Sequence, residues 1–186
     1  MAQRSAGLRL YLDTNVILDA MHSRWPPSVE LMARISDEGW SCVTSRFTVL
    51  EMLDFEQEEE YVSMLRDQGL LLSQVRGLLG DRSQVGKGLH KRQFDSIYDQ
   101  LHDGLKTRYP FLQFVHPLRG DFWDKAEEFC AGTSIGAANA IHLAALIMEC
   151  DIVVTRDNDF RQIADDYIVA ILPEAIESAL ARLNSY

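Results

Sequence analysis

The sequence predicts an α/β domain: a mainly parallel sheet with helices on both faces. Three observations lead there. Short apolar runs alternate with helix-like segments at both ends of the chain, and two of those runs lead into an aspartate. The 186 residues, 47% of them hydrophobic, suffice for one buried core but are short for two independent ones. Parallel strands need a helix-length crossover between them, which this alternation supplies.

The chain opens with the apolar run Leu8 to Leu12, which ends sharply in Asp13, Thr14 and Asn15 before a helix-like segment from Val16 to Met21. Asp13 is thereby expected at a strand's carboxyl end. Pro26, Pro27 and Ser28 start a second helix, with Val29, Met32 and Ile35 at helical spacing and Gly39 closing it. A strand is expected at Trp40 to Thr44. A long helix then begins at Ser45 or Arg46 and runs through Leu50 and Leu53 into the acidic stretch Glu56 to Glu60, with Glu51 early in it. From about 56 to 110 the alternation stops, while Phe94, Ile97, Tyr98, Leu101 and Leu105 follow one helical stripe. This reads as a helical insertion within one domain spanning 1–186. The carboxyl third resumes with helices from about Asp121 to Phe129 and Gly136 to Met148, then a short strand from Asp151 to Thr155. Asp157 stands just past that strand. A turn or short helix, a strand at Ile168 to Leu172, and a closing helix opened by Pro173, with apolar positions Ile176, Leu180 and Leu183, complete the chain.

Composition narrows the classes. The stretch Met1 to Leu12 lacks the apolar core and small-residue cleavage site of a secretory signal. Cys42, Cys130 and Cys150 are odd in number and form no C-x-x-C pair, so a reducing cytoplasm is the expected compartment. The uncharged run Phe129 to Met148 carries Thr133, Ser134, Gly136, Asn139 and His142, so it is expected as a buried helix and no membrane association is expected. A formal net charge of −10 argues against holding nucleic acid by bulk electrostatics. A local basic groove stays open: Arg76, Arg82, Lys87, Lys91 and Arg92 stand against the single acid Asp81, with Gly77, Gly80, Gly86 and Gly88 interleaved.

If the strands before Asp13 and Asp157 are neighbours, both carboxylates project into the crevice beyond the strand ends, where open α/β sheets bind ligands. Close carboxylates repel one another. A divalent cation removes that repulsion, and hard oxygen donors without thiolates favour Mg²⁺ or Mn²⁺ over zinc. Each aspartate taken alone reads equally well as a turn residue or a helix cap. Glu51 interrupts the apolar series Val49, Leu50, Met52 and Leu53, where a partly buried carboxylate needs a metal or an arginine as partner. The plainer alternative is a solvent-facing glutamate on an amphipathic helix.

Four segments then carry a resemblance: Tyr-Leu-Asp-Thr-Asn-Val-Ile-Leu-Asp at 11–19, Val-Leu-Glu-Met-Leu at 49–53, Asn-Ala-Ile-His-Leu-Ala-Ala-Leu at 139–146, and Val-Val-Thr-Arg-Asp-Asn-Asp-Phe at 153–160. In kind and in order they resemble the PIN-domain nucleases, over both ends of the chain but not its centre. The resemblance implies a three-layer PIN-like fold in which Asp13, Glu51 and Asp157 bind metal, with Asp159 a nearby auxiliary. Thr14, Asn15 and Thr155 resemble the supporting polar residues. The chain departs from the pattern at Asn139, where the family usually has an aspartate. An amide oxygen can ligate a cation or orient water, but it brings no charge and cannot act as a base. The implied catalytic set is therefore Asp13, Glu51, Asn139 and Asp157; His142, one helical turn after Asn139, is expected to be packed.

By resemblance the reaction is Mg²⁺- or Mn²⁺-dependent hydrolysis of RNA phosphodiester bonds by an endoribonuclease. The family also includes many toxins restrained by an antitoxin-like protein partner, and homodimers are familiar in it. The basic stretch could track phosphates while Phe94 or Tyr98 stack bases, although both aromatics lie on the apolar stripe and fit a helix core better. No G-x-S-x-G, P-loop or G-x-G-x-x-G is present, so acyl transfer and nucleotide-dependent chemistry rank low. A second reading is a non-catalytic PIN-like scaffold that binds RNA or protein, supported by Asn139. A phosphatase of the haloacid dehalogenase type ranks last, because that chemistry wants an acid two residues after its nucleophile, where this chain has Asn15.

Overall fold

The computed structural model describes residues 9–79, 88–115 and 121–183. The elements in order are β1 (Arg9–Leu12), α1 (Thr14–Met21), α2 (Pro26–Glu38), β2 (Ser41–Ser45), α3 (Arg46–Asp67), α4 (Leu72–Leu79), α5 (Lys91–Arg108), β3 (Leu112–Val115), α6 (Phe122–Gly132), α7 (Ala137–Glu149), β4 (Ile152–Val154), α8 (Asn158–Ala164), β5 (Val169–Ile171), a 3-10 turn (Pro173–Ala175) and α9 (Ile176–Leu183). The chain divides into two compact units, residues 1–48 with 109–186, and Val49–Arg108.

The first unit is a three-layer α/β structure. Its sheet has the order β3-β2-β1-β4-β5 with every pair parallel. The register sets Val43, Tyr11, Val153 and Ala170 in one row across four strands. Because strand side chains alternate, that row points to one face, where it is buried with Phe122, Ala126 and Phe129 of α6, Leu143 and Leu146 of α7, and Phe160 and Ala164 of α8. The opposite parity, Leu10, Leu12, Cys42, Ile152 and Val154, is buried as well. Burial on both sides is why these strands read as continuous apolar runs instead of alternating ones.

From β1 the chain moves to β2 on one side, and from β4 to β5 on the other. Parallel crossovers are right-handed, so α1 and α2 must lie on the face opposite α8. The helices that leave β1 and β4 therefore part company, and a crevice opens between the carboxyl ends of these two adjacent strands.

Local signals fix most boundaries. Proline at the first positions of α2 needs no amide partner, and Gly39 ends that helix at φ 65°, a conformation costly for any residue with a Cβ. The helix expected at Asp121 to Phe129 runs on to Gly132, and Pro173 opens a 3-10 turn before the closing helix. β3 has no counterpart in the sequence reading. It is an edge strand of four residues, three of them not fully buried, so it lacks the continuous apolar run that marks β1 and β4.

The second unit consists of α3 beyond Thr48, with α4 and α5. Tyr61, Leu65, Val75 and Leu89 form its buried cluster, with Phe94 and Ile97 packed against it. A Cβ added to Gly88 would lie 2.1 Å from Cε2 of Tyr61, so the ring would have to move for any larger residue. Leu101 and Leu105 are buried as their stripe predicts. Tyr98 departs from it: the residue is 51% exposed, its ring beside His102 at 4.3 Å between centroids.

Leu143 is fully buried between α7 and the sheet. Leu143→Ala is expected to lower the unfolding free energy by about 2–5 kcal/mol, read from the urea midpoint at unchanged m-value.

Candidate functional site

Asp13 and Asp157 stand at the mouth of the crevice. The amide of Asp13 donates to Val154 O at 3.1 Å, extending the β1–β4 ladder by one residue, while its carbonyl accepts from Val16 N and Ile17 N to start α1. Since Leu12 pairs with Val154, the next residue of β4's extension, Thr155, stands beside Asp13. The Asp13 side chain is buried. Its Oδ1 accepts from Thr14 N at 2.7 Å, and its Oδ2 accepts from Asn15 Nδ2 at 2.6 Å and Thr155 Oγ1 at 2.5 Å.

Asp157 is half-buried and caps α8, its Oδ1 accepting from Asp159 N at 2.9 Å and Phe160 N at 3.0 Å. Its Oδ2 accepts from Asn139 Nδ2, in the first turn of α7, at 3.3 Å. Thr155 joins the two acids. Its one proton goes to Asp13, and its oxygen accepts from Asp157 N at 3.0 Å and Asn15 Nδ2 at 3.3 Å, which uses its full capacity. Asn15 Oδ1 accepts from Arg156 N at 3.0 Å, which fixes the end of the amide that faces Asp13.

Both aspartates are thus helix N-caps, each worth about 1 kcal/mol to its helix. The plain reading and the functional one coincide here. Each cap employs Oδ1, while Oδ2 of either residue meets side-chain donors that can reorganise around a ligand.

Among the described residues no three His, Cys, Asp or Glu side chains are grouped to hold a metal ion. The donor set is two carboxylates with amide and hydroxyl groups around them. It fits a hydrated hard cation, since Mg²⁺ is commonly held by one or two carboxylates plus water and substrate phosphate. It does not fit a closed all-protein cage.

The other sequence-predicted residues fall elsewhere. Asp159 supplies its backbone amide to Asp157 and is itself exposed. Glu51 is half-buried on α3 and belongs to the second unit. Arg76 lies in the last turn of α4, and Lys91 and Arg92 begin α5, all exposed in that unit; Arg82 and Lys87 lie outside the described residues. His142 is fully buried, edge-on to Phe47 at 5.5 Å between ring centroids.

One buried polar cluster went unread in the sequence. The Tyr11 hydroxyl lies 2.6 Å from His142 Nδ1, and beside it the hydroxyl of Thr44 lies 2.7 Å from that of Thr48 and 2.8 Å from Leu12 O. The available signal was a tyrosine inside an otherwise apolar strand. Burial pushes the Tyr11 phenol well above its ordinary value, with the charge of Asp13 acting in the same direction and the neighbouring hydroxyls of Ser45, Thr48 and Thr44 opposing. Burial likewise pushes up the Cys42 thiol.

These features define a class: a parallel α/β domain with an aspartate pair at the topological switch point of its sheet. No family model matches the chain, and no curated protein matches it. Among solved structures it aligns with the crystal structure of FitAcB from Neisseria gonorrhoeae at 17% identity and a TM-score of 0.48, covering 89% of this chain and 98% of that one.

Two outcomes are expected. Asp157→Ala should cost about 1 kcal/mol in thermal unfolding, while Asp157→Asn, which keeps the cap, should cost a few tenths. For Tyr11 and Cys42 the folded-state values lie above the unfolded ones, so their contribution is complete at neutral pH. Above about pH 9 the unfolded chain binds fewer protons, and stability falls as pH rises. Denaturant unfolding from pH 7 to 11 should show that decline, and Tyr11→Phe should make it shallower while lowering stability at pH 7.

Proposed function

We propose that this chain is a divalent-metal-dependent nuclease that hydrolyses RNA phosphodiester bonds. The observation that carries the reading is the pairing of Asp13 and Asp157 through one hydroxyl, Thr155 Oγ1, at the crevice between β1 and β4. The choice of RNA rests on the sequence resemblance. Asp13 and Asp157 would hold Mg²⁺ or Mn²⁺, with Asp159 an auxiliary and the Asn139 amide oxygen a neutral donor once the amide turns over. When bound, such an ion activates a water and stabilises the charge on the leaving oxygen. The protein's own share is orientation. Thr155 and Asn15 fix the Asp13 carboxylate, Thr14 N holds its other oxygen, and Asn139 steadies Asp157 without adding negative charge. The exposed cations Arg76, Lys91 and Arg92 are proposed to follow the RNA backbone. A protein partner of the antitoxin kind and a homodimer belong to the same proposal and rest on the resemblance alone.

A second reading, a non-catalytic scaffold, is favoured by one observation: Asn139 donates to Asp157, where the family pattern has an acid. Cleavage of labelled single-stranded and structured RNAs in Mn²⁺ or Mg²⁺ separates the two. Cleavage is expected for the natural chain, with loss in Asp13→Ala and a 10- to 100-fold weaker metal requirement constant in Thr155→Val, the usual effect of removing a group that orients a ligand. Silence in the natural chain with activity in Asn139→Asp would make the amide the cause of inactivity. Silence in every variant would leave the scaffold.

A further inference from the structure

Beside the aspartate pair lies a cationic and aromatic group that neither the capping nor the metal reading uses. Asp19 of α1 is a buried carboxylate that takes two arginines: Arg24 Nε at 3.3 Å on Oδ1, and Arg156 Nη1 on Oδ2. The Arg156 guanidinium also lies over the Trp25 ring, 4.5 Å from its centroid. Arg156 stands between Thr155 and Asp157 in sequence and donates its backbone N–H to Asn15, so this group is continuous with the aspartate pair.

We propose that Trp25 and Arg156 form a subsite for single-stranded nucleic acid, in which the ring receives an unpaired base and the guanidinium receives the adjoining phosphate. The proposal deepens the nuclease reading and rests on it. Three features point to a ligand and not to bracing alone. Arg156 commits Nη1 to Asp19, and no other acceptor among the described residues engages its side chain, so Nε and Nη2 keep their donors in a fixed planar fork suited to phosphate. The Arg156 side chain remains 37% exposed, and Trp25 36%. The loop is also built for presentation. Ser23 holds a left-handed φ of 53°, uncommon for a residue with a Cβ, and Trp25 precedes Pro26, which confines it to the extended conformation observed. The ring is therefore placed before any ligand arrives, which lowers the ordering cost of binding.

The test is fluorescence anisotropy of a labelled single-stranded RNA of mixed sequence, titrated in EDTA so that no cleavage occurs, with melting curves to confirm folding. Trp25→Ala should weaken binding roughly 5- to 150-fold, the range seen when a stacked base loses its platform, and Trp25→Phe should restore most of it. Arg156→Lys keeps a charge on Asp19 but loses the fork, and should weaken binding at an unchanged melting temperature. Arg156→Gln should reduce the slope of log Kd against log salt by about 0.7. The same RNA in duplex form, with its bases paired, should bind more weakly. Natural-chain affinity and salt slope in Trp25→Ala and Arg156→Lys, or equal binding of duplex and single strand, would overturn the subsite. If Mn²⁺-dependent cleavage persists in that case with unchanged KM, the nuclease reading survives alone; a natural chain that neither binds nor cleaves RNA would overturn both.

Discussion

The site depends on one hydroxyl group. Thr155 Oγ1 gives its proton to Asp13 and accepts the amide of Asp157, so two carboxylates separated by more than 140 positions in the chain are referred to the same atom. That is achievable because β1 and β4 pair in parallel register and both end at the same level, with Leu12 opposite Val154. A shift of one residue in that register would turn Thr155 to the other face and separate the acids.

The sheet topology makes the crevice, and the helix caps make it rigid. An aspartate at a helix start is held by backbone amides whatever its further role, so the geometry of each carboxylate is stabilised by the folding of α1 and α8. Beneath it, the Tyr11 hydroxyl and His142 satisfy one another inside the apolar layer and tie β1 to α7, the helix that carries Asn139. The aspartate pair thus rests on a fixed wall on the α7 side. On the other side lies the loop from His22 to Trp25, which reaches the site through Arg156.

Charge distribution follows the same logic. A chain with a surplus of acids gathers two of them at the crevice and sets two arginines on a third, Asp19, at its edge. The long cationic stretch read from the sequence behaves differently: among its described members, Arg76, Lys91 and Arg92 are exposed on the helices of the second unit. Spacing along a chain gives a count of charges but not a surface. Arg156 was available in the sequence, flanked by Thr155 and Asp157, yet its partner Asp19 lies 137 positions away and Trp25 reads as the residue before a helix.

The sequence by itself determined the α/β class and the strand–aspartate–helix openings at both ends, with Asp13 and Asp157 just past their strands. Those features are local, encoded in apolar runs, prolines, Gly39 and capping side chains that act within a few positions. It missed β3, whose edge position leaves it without a continuous apolar signature, and placed Tyr98 in a core from which the structure excludes it. Only the tertiary structure decided that β1 and β4 are neighbours, that Asn139 meets Asp157 and that Tyr11 meets His142. Each depends on register and crossover hand, which pair residues far apart in the chain and leave no periodic trace within it.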